Sequence, residues 1–573
     1  MKFKLQLFFI AFSFVSSAQV YNWQWAKSGG GIKTDVPYKM AISATGNVYV
    51  AGIFASPVFS VGGLQLTNSD NTYGTSDLFI VKYDSIGNLI WARRPVGNFN
   101  ENVSGIVVDA SENVIIVGAF IGSNLSFGNI TVGNAGSYDM YMAKYSSAGN
   151  PLWAKSIGGT STDMSDDVAV DLNGNIFWAG SLNTPTIVIG TTTLISNGDS
   201  DAFIAKYDPN GNLLWAKSEG GTSGDGAGSI STDNVGNLYF AGSYNSTLIA
   251  VGNNTFTNVD PSGGSGDLFL VKYDGNGNII WSEKEGGTIT EQVVNISTDA
   301  SGNLILLGVF LSPTLTIGSS TLTTDGPAPF TQGTFLAKYN SAGNSIWAQK
   351  VGNNGGQMAD FVVGSSGELF TCGTFKSPTF TLGGLTFTNA SNSGNTYDFF
   401  VAGLDPSGNF TWSKSAGGTK IDGCAGIVTS PSGRNIFLSG GFTSPTLALG
   451  ATTISCLDTS GTFYDFYIAR LTIESVTVPE ETGINEFSLS ENINASPNPF
   501  FQHTFLKSPI ALENAEVVLS NNLGQIVKMS SITASPEQPF EISREDLPPG
   551  IYYLHLLQNM QAIGVKKLII LEK

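Results

Sequence analysis

Ten residues after each of seven regularly spaced tryptophans stand Asp35, Glu101, Asp163, Asp225, Glu291, Gln357 and Asp422, and six of these seven side chains are carboxylates. Carboxylates at a fixed spacing can do two kinds of work. Gathered around one channel mouth, they can hold a hard cation such as Ca²⁺ through oxygen ligands. Placed one by one beside Gly-rich loops, each can accept hydrogen bonds from backbone N–H groups and tie the chain to itself. Gln357 keeps the hydrogen-bonding capacity without the charge, and sevenfold repetition suits a frame better than a catalytic centre, so the tying role is favoured. The one local acidic cluster on the approach to an inner strand is Asp163, Asp166 and Asp167, which makes it the candidate for the paired carboxylates of glycan cleavage, although an exposed face explains it equally well. The two histidines, His503 and His555, both lie near the C-terminus. That leaves the preceding residues without a Ser-His-Asp or Cys-His arrangement and without a histidine-ligated zinc. The segments DPNGN (208–212) and DGNGN (274–278) lack the later Glu of a calcium loop and read as turns.

These side chains are placed by a repeat. Its tryptophans are Trp25, Trp91, Trp153, Trp215, Trp281, Trp347 and Trp412, at steps of 66, 62, 62, 66, 66 and 65 residues. One period holds four short strand-like runs, here called a, b, c and d. In the third copy they are 168–171, 176–180, 202–207 and 213–217. Asn-Gly pairs between a and b and between c and d signal hairpins in which both residues tolerate positive φ. A four-stranded antiparallel unit repeated in this way is a β-propeller blade. The c run, Asp-x-Phe-x-x-Lys-Tyr in its fullest form, starts at Asp77, Asp139, Asp201, Asp267, Thr334, Asp398 and Asp465. The first tryptophan has no c run before it and the last c run has no tryptophan after it. If the Trp25 segment supplies strand d beside 465–471, a seven-bladed ring closes and no edge is left unpaired.

The Gly-Asn-x-x-Tyr b run (236–239), the Asp-x-Phe c run and the Gly-Asn-x-x-Trp-Ala-Lys d run together resemble the bacterial seven-bladed propeller repeat family over roughly residues 22–472. The resemblance implies the fold and carries no common catalytic residues. Between b and c each repeat holds a secondary hairpin, such as PTIVIGTTTLI (185–195), with a turn glycine at Gly62, Gly128, Gly190, Gly252, Gly318, Gly383 and Gly450. These hairpins are expected to crown one face of the ring and to form its interaction surface.

With 13% charged residues and 69 glycines among 573, the chain suits short strands and tight turns, not helical bundles. A net charge of −18 argues against nucleic acid as a partner. Three cysteines make no disulfide framework. Cys372 reads as a small core residue, while Cys424 and Cys456 share the last repeat and can pair in an oxidising compartment. Residues 1–18 have the pattern of a secretory signal peptide, and no later run looks transmembrane.

After residue 472 the repeat stops. An acidic linker (473–494) leads to ASPNPF (495–500), a hairpin at 517–527, LPPGIYYL (547–554) and a last strand, KKLII (566–570). This stretch is similar to the type A C-terminal sorting domain of the type IX secretion system of Bacteroidetes-type bacteria. The resemblance implies export, recognition of the domain by the secretion machinery at the outer membrane, and release or attachment at the cell surface. The expected protein is all-β: a signal peptide (1–18), a propeller (19–472), a linker (473–494) and a small β-sandwich (495–573). Its expected role is that of a secreted or surface binding module for a protein or glycan, without catalysis and without a cofactor unless the acidic ring holds Ca²⁺. The alternatives from other classes are a carboxylate-dependent glycan-cleaving enzyme and a structural surface-layer component.

Overall fold

The computed structural model describes residues 18–69, 74–260, 262, 264–326, 331–353, 355–391, 394–458, 460–476, 494–508, 510–521, 526–545, 547–558 and 561–571. Residues 1–17 and 477–493, which hold the expected signal peptide and most of the expected linker, lie outside them. Every regular element among the described residues is a strand. Contacts divide the chain into two units, one spanning Trp23–Thr472 and the other containing Ile473–Lys573.

In the larger unit the four runs pair as antiparallel sheets in the order a-b-c-d. In the third sheet these are Asp163–Val170, Ile176–Leu182, Asp201–Tyr207 and Leu213–Glu219. Among the described residues seven such sheets occur. The seventh takes Gly426–Thr429, Asn435–Phe442 and Asp465–Val476, with Ala18–Gly30 beside the last of these. Strands b and c are covered on both sides, so they read as apolar runs, VYVAGIF and DLFIVKY in the first sheet, instead of alternating. Each a strand packs beside the a strand of the next sheet, and Gly426–Thr429 of the seventh packs beside Asp35–Ile42 of the first.

The turns are tighter than Asn-Gly pairs alone require. In the third c-d turn, Asp208 N–H donates to Asn212 O and Gly211 N–H to Asp208 O. Only Gly211 takes positive φ, +81°, and the register shifts between Lys206 and Tyr207. This is a three-residue loop with a glycine bulge. Asn210 needs no positive φ because the Asp208 carboxylate accepts its N–H at 2.9 Å and that of Asn212 at 2.8 Å. Gly211 meets a second demand: a Cβ there would come within 3.2 Å of the Trp153 ring of the preceding sheet. Gly149 stands against Trp91, and Gly277 against Trp215, in the same way.

The secondary hairpins do not crown a face. In the first six sheets the turn glycine reaches the first residue of strand d in its own sheet, as Gly62 lies against Leu89, Gly128 against Pro151 and Gly252 against Ile279, and in the seventh Gly450 lies against Trp23 within Ala18–Gly30. The hairpins also pair with the outgoing end of the preceding sheet, as in Gly29 with Val61 and Leu125 with Gly97. Their alternate side chains fill the space between sheets; Ile187, Ile189 and Leu194 share a core with Trp178 and Phe203 of their own sheet and Met140 and Met142 of the one before. The apolar alternation of these hairpins is therefore spent on packing between neighbouring sheets.

The smaller unit has a three-stranded sheet (Asn494–Ser496, His503–Lys507, Phe540–Ser543) and a four-stranded one (Leu512–Asn521, Ile526–Ala534, Gly550–Gln558, Gln561–Ile570). Both contribute to one core around Leu506, Ile542, Leu519, Leu554 and Leu568.

Candidate functional site

The acidic positions are not at a channel mouth. Asp35, Glu101, Asp163, Asp225, Glu291 and Asp422 are all at most 3% exposed, where strand a begins. Asp225 shows what most of them do. It accepts the N–H of Gly221 at 2.6 Å, the N–H of Ser246 at 3.0 Å and the Ser246 hydroxyl at 2.7 Å. The carboxylate thus closes the Gly-Gly loop that enters its own sheet onto the residue that leaves strand b. Asp163 does the same with Gly159 and Thr184, and Asp422 with Gly418 and Ser444. Asp35 holds Ser56, and Glu291 the N–H of Gly287.

Each of these acids has a second acid beside it across the junction: the first residue of strand c in the preceding sheet. Asp201 faces Asp225, Asp139 faces Asp163, Asp267 faces Glu291, Asp398 faces Asp422, Asp77 faces Glu101 and Asp465 faces Asp35. One oxygen of the c-strand acid accepts an N–H of the incoming connection, as from Asn197 to Asp201 at 2.8 Å. The other oxygen, Oδ1 of Asp139, Asp201, Asp267, Asp398 and Asp465, has no hydrogen-bond partner. Burial, and after it the neighbouring carboxylate, pushes Glu101 up to about 9. Burial raises Asp35 and Glu291 to about 7 and Asp398 and Asp465 to about 6.

The remaining junction corrects two sequence assignments. Strand register sets Gly333, not Thr334, opposite Phe310, in the place of the c-strand acid. It sets Gly356, not Gln357, opposite Phe375, in the place of the a-strand acid. The loop after Trp347 is one residue shorter than the others, so a fixed offset of ten slips by one there. Both acids of the pair are missing at the same junction. Gln357 itself is exposed and its Oε1 accepts from Gln332.

A different set of side chains meets on the inner strands, at the position opposite Ala51, Val117, Ala179, Ala241, Leu307, Cys372 and Ser439 of strand b. In order these are Lys39, Gly105, Asp167, Ser229, Asn295, Asp360 and Gly426. The third to seventh sheets are linked here. Asp167 accepts the Ser229 hydroxyl at 2.7 Å and the N–H of Ile230 at 2.9 Å. The Asn295 amide donates to Asp360 at 2.6 Å, and Asp360 accepts the N–H of Ile427 at 3.1 Å. Lys39, exposed and flanked in the series by two glycines, exerts its charge on Asp167, Asp360 and Asp166 together. Asp166 accepts the Ser181 hydroxyl at 2.8 Å, and burial raises it to about 7. Of the acidic cluster seen in sequence, Asp163 turns into the junction while Asp166 and Asp167 join this inner set. Lys39 and Asp360 went unnoticed in sequence, although reading the column fourteen residues after each tryptophan would have found Lys39 and Asp167. Among the described residues no group of three or more His, Cys, Asp or Glu side chains is arranged to hold a metal ion.

Residues 494–571 match the family model described as the secretion system C-terminal sorting domain. The chain carries a sorting domain for export. It is therefore a secreted or cell-surface protein of the type IX route, and no helix of the described residues is long and apolar enough to cross a membrane. Over 431 residues the chain is 24% identical to an uncharacterized WD repeat-containing protein of Acanthamoeba polyphaga mimivirus, covering 62% of this chain and 30% of that protein. It is 30% identical over 174 residues to the regulatory protein FlaEY of Caulobacter vibrioides, covering 29% and 18%. The chain thus spans less than a third of the length of these two curated relatives. Among solved structures it is similar to Sqt1 of Chaetomium thermophilum, with 11% identity, a TM-score of 0.36 and coverage of 74% and 95%. It is also similar to YCF48 bound to D1 peptide, with 11% identity, a TM-score of 0.35 and coverage of 80% and 96%.

Proposed function

We propose that the protein is a secreted or surface-displayed binding and adhesion module, exported through its C-terminal sorting domain, which folds as a small β-sandwich. Its large unit is a closed seven-bladed β-propeller that engages a protein or glycan at the inner strands. The junction between the seventh and first sheets supports closure, because it repeats the contacts of the others. Gly87 stands against Trp25 as Gly149 does against Trp91. Arg470 donates to Ser85 O where Lys82 donates to Ser147 O and Lys144 to Pro209 O.

The observation that carries the binding reading is the loss of repeat symmetry on the inner strands. A pure frame would place the same residue in every blade, as the junction acids almost do. The inner series instead puts a single cation on the first blade and carboxylates on the third and sixth, facing solvent in part. The junction carboxylates serve the frame in this reading, because N–H and hydroxyl donors, which repel a cation, already occupy most of their oxygens. A melting temperature that rises with Ca²⁺ and falls with a chelator would reverse that assignment.

A second reading, glycan cleavage, draws on Asp166. A carboxyl group held near neutrality beside Asp167 has the make-up of a general acid with a carboxylate neighbour. One experiment separates the readings: the secreted protein is applied to insoluble polysaccharides and intact cells, and the supernatant is assayed for released sugar. Retention without release, lost in Lys39→Ala at unchanged melting temperature, is expected. Sugar release abolished by Asp166→Asn would establish the enzyme instead. Neither signal would leave a structural surface-layer role.

A further inference from the structure

We infer that Cys372 and Cys424 are joined by a disulfide in the exported protein, so that a covalent link staples the sixth sheet to the seventh directly behind Asp360. Cys372 lies in strand b of the sixth sheet (Leu369–Phe375), opposite Asp360 on one side and Val401 on the other. Cys424 lies in the segment that enters strand a of the seventh sheet, with its Sγ 3.6 Å from Gly426 O. The two are 0% and 7% exposed. Both are free thiols in this structure, Cys424 is near enough to act on the ionisation of Cys372, and both act on that of the buried Tyr467 of the seventh sheet. The two segments approach each other at this point: a Cβ on Gly423 would stand 3.9 Å from Cγ2 of Thr374.

The third cysteine has a different occupation. Cys456 follows the seventh secondary hairpin, where Asn68, Asn134, Asn258 and Asn389 follow theirs. Each of those amides donates to two backbone carbonyls, Asn258 to Tyr244 O and Ser265 O at 3.1 and 3.0 Å. The Cys456 thiol faces the equivalent pair, Phe442 O and Phe463 O, at 3.8 and 3.9 Å. It fills an amide's place and has no thiol partner, so the sequence-based pairing of Cys424 with Cys456 gives way to Cys424 with Cys372.

The sorting domain sends the chain to a compartment where disulfides form and persist. The step needs an oxidant, and the chemical class is a disulfide, carried by a thiol-exchange protein or supplied as oxidised glutathione. The Cys424 thiolate attacks one sulfur of that disulfide, forms a mixed disulfide and releases the first thiolate. The Cys372 thiolate then attacks the Cys424 sulfur, closes the bond and releases the second. Two cysteine thiols lose two protons and two electrons, and the oxidant becomes two thiols. In the finished fold burial holds the Cys372 thiol well above the usual range, which makes it a poor nucleophile. The bond must therefore close while the last two sheets are still assembling.

The test is a thiol count on the full chain as secreted by its own cells. The protein is unfolded and treated with N-ethylmaleimide before and after reduction. One adduct before reduction and three after, with a linked peptide pair containing Cys372 and Cys424, is the expected result. Three adducts before reduction, or a link that includes Cys456, overturns the inference. Cys372→Ser and Cys424→Ser should each leave two adducts before reduction and shift the denaturation midpoint equally, with no further shift in the double variant. Additive shifts would also overturn it.

Discussion

One strand of the third sheet opens on an aspartate and is followed by another, and the two behave in opposite ways. Asp201 opens it, fully buried, and burial raises its affinity for a proton. Asp208 follows it in the open turn. There a slight burial cost is outweighed by donation from the Asn212 amide and the N–H groups of Asn212 and Asn210, and its carboxyl is held below the usual range. The same contrast recurs around the unit, with Asp267 against Asp274 and Asp398 against Asp405. The repeat thus builds two carboxylate sets from one residue type. The turn set lives in water and is satisfied by donors; the junction set lives between sheets, in pairs, with an oxygen to spare. Position in the period decides the chemistry, and the sharpest tests are those that treat the two sets alike.

Truncating a junction acid should have the largest effect. Asp225→Ala strands the N–H groups of Gly221 and Ser246 and the Ser246 hydroxyl inside the protein. The expected loss is about 3 kcal/mol, read from urea denaturation, since several buried donors lose their acceptor at once. Asp225→Asn keeps an acceptor and should lose about 1 kcal/mol. Equal losses for the two would mean that charge, not acceptance, holds the loop.

Next in size is the response to pH. Among the junction acids, Asp35, Glu101, Glu291, Asp398 and Asp465 have folded-state affinities raised above the unfolded value, so the stability tied to their protonation is fully present below the unfolded range and is lost as pH rises. The window follows from Asp398 and Asp465 at about 6, Asp35 and Glu291 at about 7 and Glu101 at about 9. Melting temperature should therefore fall by several degrees between pH 5 and pH 9, followed by calorimetry. The turn acids, held low, act the other way: their contribution is present above the unfolded range and fades below about pH 4. A flat profile from pH 5 to 9 would show that the paired carboxyls find donors in solution and are ionised throughout.

How far the sequence could anticipate this is itself a matter of position. The period, the four runs and the N-terminal segment beside 465–476 were legible because covered strands and turn residues leave strong marks. The sorting domain was legible through spaced motifs. The hairpins were misplaced because their alternation shows that one side is buried without saying against what; the outer strand of a sheet and the space above it give the same pattern. The acid pairs were invisible because their members are some 24 residues apart in the chain, as Asp201 and Asp225 are, and meet only when sheets stack. The inner series was hidden for a related reason. Its members share nothing but register, and a one-residue deletion before Gly356 puts Asp360 out of step with Asp167.

The junction without acids offers a way to sharpen the comparison. Gly356→Asp restores a carboxylate where Gly333 provides no partner. Its Cβ would stand 2.8 Å from Cε1 of Phe380 and 2.9 Å from Cβ of Phe375, so the aromatic rings must give way. We expect a loss of about 2 kcal/mol at pH 7, typical of overpacking. The loss should be larger at pH 9 than at pH 5, because the new acid is buried beside apolar rings and is best tolerated protonated. A pH-independent loss would assign the whole effect to crowding.

The smallest effect belongs to the turn. Asp208→Ala removes the acceptor for Asn210 N–H, Asn212 N–H and the Asn212 amide, yet all of these can turn to water. Exposure and screening keep the expected loss to roughly 0.5 kcal/mol at pH 7. The Gly211 bulge, which needs only a glycine at positive φ, should hold the hairpin in place. The loss should shrink as pH falls below about 4, toward protonation of the wild-type carboxyl, which then accepts poorly, and it should be insensitive between pH 5 and 9. Asp225→Ala should behave in the opposite sense, mattering least at high pH, where the wild type itself carries the cost of a buried charge. If both substitutions followed one pH profile, the environments of the two sets would be alike, and the division of labour between turn and junction would fail.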